Sequence, residues 1–167
     1  MTDRIRVEIE RKPCVAEGIA RFADYIAAQY GVRIGEKTAE EIKLSLGAAL
    51  IGGMERRQFK GRSLKTGLPE CVALTGGEVS HAIAPTVRRI VDSVRRTLSE
   101  TPPELAADLI DTGIVLTGGG AKLKGLDKLI SHETGLKVSI AEDPMYCVAL
   151  GALKLGSGED MDAPRYA

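Results

Sequence analysis

Apolar residues along the chain recur in two distinct rhythms, one of strands and one of helices. Ile5, Val7 and Ile9 alternate with Arg6, Glu8 and Glu10, the period-two pattern of an exposed strand or tail over residues 1–14. From Val15 to Tyr30, Ile19, Phe22, Ile26 and Tyr30 recur every three or four residues, which predicts an amphipathic helix that stops at Gly31. Val79, Ile83, Val87, Ile90, Val91, Val94 and Leu98 form a long helical stripe, with Pro85 expected to kink it or to mark its true start. Arg56–Lys60 and Cys71–Thr75 read as an antiparallel hairpin closed by Gly76-Gly77.

Capping signals add helix starts. Thr38 followed by Glu41 fits a capping box, so a helix is expected from Thr38 with Ala39, Ile42, Leu46 and Ala49 on its inner face. Thr101 and Glu104 fit a second box around Pro102-Pro103, opening a helix that turns Leu105 and Leu109 inward. A helix from Met145 to Leu155 is rich in small residues, and Ala149, Gly151 and Ala152 are expected to let another backbone approach.

The most distinctive stretch is Gly113-Ile-Val-Leu-Thr117 followed by Gly118-Gly119-Gly120-Ala121: a buried strand, a tight turn and a helix resuming at Leu123. A further strand, Lys137–Ile140, follows the helix end at Gly135, and this strand–helix alternation makes the second half α/β. Without Cβ atoms, the triple-glycine turn can take positive φ and present backbone N–H groups to a flat or anionic ligand. A β-branched residue at Gly119 should therefore obstruct any ligand and resist that φ. On spacing alone the turn reads better as a compact strand-to-helix connection, since it completes neither G-x-G-x-x-G nor G-x-x-x-x-G-K-[ST]. Glu40 and Lys43 project side by side on their helix, either as an exposed ion pair or as a carboxylate and an ammonium offered to a sugar or base.

Composition narrows the function classes. The 167 residues suffice for a core, and 23 acidic and 23 basic side chains balance, so bulk charge gives no reason to expect nucleic acid. Aromatic residues are only 4%, which argues against a base-stacking platform. The pairs Arg88-Arg89 and Arg95-Arg96 could serve an acidic or membrane surface, but Asp92 interrupts them and a solvated helix face explains them. Cys14, Cys71 and Cys147 have neither disulfide nor zinc spacing, which suits a reducing cytoplasm. No apolar run approaches the roughly 20 residues of a membrane span, and the charged amino terminus does not read as a signal peptide.

In combination, several segments resemble the carboxy-terminal half of the bacterial actin-like, rod-shape-determining MreB proteins. They are Tyr30-Gly-Val-Arg-Ile-Gly-Glu-Lys-Thr-Ala-Glu-Glu-Ile-Lys43, Gly61-Arg-Ser-Leu-Lys-Thr-Gly-Leu-Pro69, Pro102-Pro-Glu-Leu-Ala106, Gly113 to Ala121, and Ala141-Glu-Asp-Pro144 with Cys147-Val-Ala149. The resemblance implies an α/β, actin-like ATPase fold of the ribonuclease H type. One half of that two-domain architecture would occupy residues 15–155, with an inserted helix-and-hairpin lobe at about 32–77 and a flexible tail at 156–167. It also implies ATP, magnesium-bound in the family, with Glu40, Glu41, Ile42 and Lys43 on the adenine and ribose side and Gly118, Gly119, Gly120 and Ala121 around the adenosine and phosphates. Implied partners are actin-like protomers meeting partly through the lobe and, indirectly, the membrane-associated cell-wall machinery.

Several departures qualify that expectation. Met1–Cys14 stands where a D-I-G-x-G-T phosphate loop is expected, the Leu50–Glu55 loop is short, and Cys14–Asp24 lacks the usual Gly-Asp…Asp-Glu-Ala-Ile run. The family's catalytic acids match nothing here, so no catalytic or metal-binding residue is assigned, and weak nucleotide binding without hydrolysis by the chain alone is expected. The competing readings are an ATP-dependent enzyme or chaperone of the sugar kinase and heat-shock superfamily, or the product of a truncated gene.

Overall fold

A computed structural model of the chain describes residues 13–50 and 53–157, so the strand expected near Ile5–Ile9 and the tail beyond 157 lie outside the described residues. Helix α1 (Pro13–Tyr30) buries Phe22 and Ile26, four residues apart, and stops at Gly31, where φ is +65° and the N–H reaches Ala27 O. A two-residue strand β1 (Val32–Arg33) leads into α2 (Glu36–Leu46), which buries Ala39, Ile42 and Leu46.

The expected start of α2 is corrected by two residues. Gly35 in extended conformation is the N-cap, its carbonyl accepts from Ala39 N at 2.9 Å, and no side chain caps the helix. Thr38 lies inside the first turn, so the Thr38–Glu41 box does not form. Ala49 lies past the end of the helix rather than on its inner face.

Strands β2 (Arg56–Ser63) and β3 (Pro69–Thr75) form the expected hairpin, longer than its apolar pattern suggested. Pairing Phe59 with Val72 turns both toward the core with the buried Leu74, while Arg57 opposite Leu74 stays exposed and pairs with Glu55, and β1 adds antiparallel to the far edge of β2. Helix α3 (Gly76–Glu100) runs through Pro85, which is exposed, while Val79, Ile83, Val87, Val91 and Val94 form one buried stripe on both sides of it. Pro85 therefore does not mark the start of the helix.

The capping box that forms is at the start of α3. Glu78 N donates to Thr75 Oγ1 at 3.3 Å, and Thr75 N donates to Glu78 Oε2 at 2.7 Å. Tyr30 Oη donates to the same carboxylate, tying the end of α1 to the start of α3. Hydrogen bonds from Thr75 and then Tyr30 hold the Glu78 pKa below its ordinary range, whereas burial and the Glu78 carboxylate push Tyr30 up to about 12.

Thr101 is the C-cap of α3, and its hydroxyl donates back to Thr97 O at 2.7 Å. It is thus unavailable to α4 (Pro103–Thr112), whose N-cap is Pro102, and the second expected box does not form. Leu105 and Leu109 are only half-buried, and no residue of α4 is buried.

The remaining layer is the α/β unit. Strands β4 (Ile114–Leu116) and β5 (Val138–Ile140) pair in parallel, joined through a 3₁₀ turn (Gly119–Lys122) and α5 (Leu126–Thr134). Helix α5 ends at Gly135 in left-handed conformation, as its sequence suggested. Leu126 and Ile130 of α5 enter the main core, and Arg95 on α3 pairs with Glu133 at 3.2 Å. Helix α6 (Cys147–Ser157) does not pack as expected: among the described residues Ala149 and Ala152 are exposed, and a Cβ on Gly151 would meet nothing within 4 Å.

Candidate functional site

The triple-glycine turn leaves β4 through a single left-handed residue. Gly118 has φ +80° and donates its N–H to Pro144 O, while Gly119 and Gly120 lie in the 3₁₀ turn without positive φ. The expectation that Gly119 needs positive φ is therefore corrected: that demand falls on Gly118. A Cβ at Gly119 would meet Met145 Sδ at 3.2 Å, whereas one at Gly118 or Gly120 would meet nothing within 4 Å. The backbone of this turn is open to an approaching ligand.

Across from it lies α2, with a groove of about 90 Å³ between the two. Lys43, Leu44 and Gly47 form one side, Gly119, Gly120, Lys122 and Leu123 the other, and Phe22, Ile83, Val87 and Ile90 the floor. The lining is largely apolar, with Lys43, Lys122, Thr86 and the turn's backbone as its polar residues. Such a groove can take a flat, weakly polar group and attract an anion at its rim.

Of the residues singled out from sequence, Lys43, Gly119 and Gly120 meet on this groove. Glu40 adjoins it through its ion pair with Lys43 Nζ at 2.8 Å, both side chains being partly exposed. Gly118 precedes the 3₁₀ turn, and Glu41 is exposed on another face of α2. Ile42 and Ala121 are buried, so their side chains anchor the two walls to the core.

Sequence reasoning missed Leu44, Lys122 and the floor. Lys122 follows the glycines after Ala121 and Leu44 adjoins Lys43, which are signals of position in the sequence, whereas the 57% exposure of Leu44 shows only in the fold. The floor from α3 was legible only as a core stripe.

Backbone bonds hold the walls together. Ala48 and Lys124 form an isolated parallel bridge, with Ala49 N donating to Lys124 O at 2.8 Å. Leu50 packs on Gly125, and Lys124 Nζ reaches Ser45 O at 3.4 Å. Among the described residues no three His, Cys, Asp or Glu side chains cluster as a metal site, and no helix is long and apolar enough to cross a membrane.

Comparison with known proteins agrees with this architecture. The profile of the MreB/Mbl protein family matches residues 16–163. The cell shape-determining protein MreB of Escherichia coli K12 is 44% identical over 132 residues, 78% of this chain and 38% of its own length. Mbl of Bacillus cereus is 43% identical over 129 residues, 77% and 39% respectively. The chain thus spans about two fifths of the relatives it matches. The structure of MreB5 of Spiroplasma citri bound to ADP superposes with a TM-score of 0.79 at 31% identity, over 84% of this chain and 43% of that one. A MamK double helical filament shares the fold at a TM-score of 0.65 and 20% identity, over 88% and 44%. The chain belongs to the MreB/Mbl family of cell shape-determining proteins and has the corresponding part of their actin-like fold.

Proposed function

We propose that this chain forms one wall of an adenine-nucleotide site in a cytoskeletal protein that determines cell shape. The observation that carries the reading is that Lys43 and Gly119-Gly120, 76 residues apart in sequence at their nearest, face one apolar groove. The groove suits adenine, Glu40 beside Lys43 suits a ribose hydroxyl, and the open backbone at Gly120 with Lys122 suits phosphate oxygens. The relative MreB5 of Spiroplasma citri binds ADP in one structure and AMPPNP in another, which supports the same ligand class here.

The groove's role is to bind, not to cut. Its lining contains no carboxylate, and Glu40 is committed to Lys43. Assembly with actin-like protomers, through the lobe of β1, α2, β2 and β3, completes the reading.

Calorimetry with ADP and AMPPNP tests it. One wall should give a dissociation constant of about 1 mM, or about −4 kcal/mol, with no phosphate release from ATP. Gly120→Val should abolish binding while leaving the melting curve unchanged, because nothing in the protein opposes a Cβ there. Unchanged binding by the folded variant would refute the site.

A further inference from the structure

Residues 56–69 hold Arg56, Arg57, Lys60, Arg62 and Lys65 and no carboxylate, in a chain of zero net charge. Part of this charge gathers at the turn between β2 and β3. Arg62 Nε donates to Gly67 O at 2.8 Å, and a Cβ on Gly67 would stand 3.4 Å from Arg62 Nη2, so the guanidinium lies over the turn. Arg33 is directly opposite Arg62, and Leu64 N donates to Gly31 O at 2.8 Å, which draws the start of β1 against the same turn. Neither arginine has an ion pair among the described residues, and Glu70, opposite Gly61, lies on the other face of the sheet. Like charges directly opposite on a sheet destabilise it, so the arrangement costs stability unless an anion answers it.

A hydroxyl stands in the middle of this turn. Thr66 is exposed, and its Oγ1 accepts from Leu68 N at 3.3 Å while donating to no acceptor among the described residues. Lys65 precedes it directly and Arg62 stands four residues before, cations that the acidic groove of a protein kinase can read on an exposed turn. Thr97 and Ser99 also follow arginines, but they lie in α3 and donate to its carbonyls, at Ser93 O and Arg96 O, so their backbone cannot enter such a groove extended.

We propose that Thr66 is a phosphorylation site and that Arg62 and Arg33 hold its phosphate. The phosphoryl group comes from a nucleoside triphosphate bound to a serine/threonine kinase: Thr66 Oγ1 bonds to the γ-phosphorus, its proton passes to the kinase's base, and the nucleoside diphosphate leaves. The product adds a charge of about −1.5 to −2 and three acceptor oxygens beside guanidinium groups that otherwise repel each other, so their repulsion becomes a clamp. Modification removes most of the positive charge at the hairpin tip and fixes the turn against β1. The site is separate from the groove between α2 and the glycine turn and does not depend on what that groove binds.

Incubation of the full chain with ATP and an arginine-directed serine/threonine kinase, followed by peptide mass spectrometry, tests the site. Phosphate should appear on Thr66 and be lost in Thr66→Val. Phosphate on Thr97 or Ser99 instead, or none on the folded chain, overturns the proposal. The clamp is read on the modified chain by phosphorus NMR and thermal melting. The second pKa of the phosphate should fall at least about half a unit below its usual value of about 6, and the melting temperature should rise by about 2–4 °C. Arg33 lies outside the sequence that a kinase reads around Thr66. Arg33→Gln should therefore be modified at the parent rate and lose most of both shifts, while before modification it should melt no lower than the parent. Equal shifts in the parent and in Arg33→Gln overturn the clamp. Equal stabilisation of Thr66→Val by millimolar inorganic phosphate would make the cluster a site for a free anion and overturn the covalent reading.

Discussion

In the layer built from α1, α2, α3 and the antiparallel sheet, Phe22, Ile26, Ile42, Leu74 and Val79 are 2% exposed or less. In the parallel layer, α4 buries nothing, and Val148 and Leu153 of α6 are 56% and 69% exposed. The first layer has an interior of its own. The second is a two-stranded parallel sheet, an arrangement that is marginal alone and is normally covered on both faces. Leu126 and Ile130 of α5, with the Arg95–Glu133 pair, join it to the first. The two layers therefore serve different purposes: one supplies the stability, and the other positions the glycine turn against α2.

Breaking the interior of each layer should expose this difference most sharply. Ile42→Ala or Leu74→Ala removes a fully buried side chain and should cost about 3–4 kcal/mol in denaturant unfolding. Leu153→Ala in the exposed helix should cost less than about 0.5 kcal/mol. Equal losses would mean that the parallel layer has a hidden interior.

A smaller effect is expected at the junction of α1 and α3. Glu78→Gln weakens the cap at Thr75 and the bond from Tyr30, and should cost about 1–2 kcal/mol. The pH dependence has two limbs. The folded-state pKa of Glu78 is depressed, so its contribution is present above the usual carboxylate range and is lost as pH falls through the folded value. The pKa of Tyr30 is raised from 10.0 to about 12, so its contribution is complete below 10.0 and is lost as pH rises through about 12. In Glu78→Gln the acid limb should vanish. The alkaline limb should shrink but persist, because burial is the first cause of the tyrosine shift. Urea melts across pH would show both.

The smallest stability effect should come from the groove itself. The Glu40–Lys43 pair is partly exposed, and Glu40→Ala should cost no more than about 0.5 kcal/mol in the same melts. If the pair faces a bound nucleoside, its larger effect will be on nucleotide affinity. Losing stability without losing affinity would make the pair merely structural.

The comparison also explains what the sequence revealed. Helices α1 and α3 were legible because Phe22 and Ile26, and Val79, Ile83 and Val87, keep one face buried at helical spacing. The hairpin showed because its turn residues separate two strand-like runs. Helix starts were less legible. The T-x-x-E pattern occurs at Thr38, Thr75, Thr97 and Thr101, yet only Thr75 makes a box, Thr97 lying inside α3 with its hydroxyl on Ser93 O. At Thr38 the helix has already begun at Glu36, and at Thr101 the preceding helix has claimed the hydroxyl. Local motifs do not reveal which neighbour reaches a residue first. The same limit applies to the groove, whose rims were read from Lys43 and Gly119-Gly120 while its floor, from α1 and α3, depends on packing between distant segments.

The backbone pairing of Ala48 and Ala49 with Lys124 sets how the chain can vary here. A strut made of main-chain bonds tolerates most side chains at Ala48 and Ala49, proline at Ala49 excepted because it removes the donated N–H, whereas Lys124 adds a side-chain bond to Ser45 O. Length is another matter. One residue of extended chain spans about 3.3 Å, so an insertion or deletion beside the strut shifts one side of the groove relative to the other by about that distance. Divergence at Ala48 and Ala49 is thus constrained more in the count of residues than in their identity.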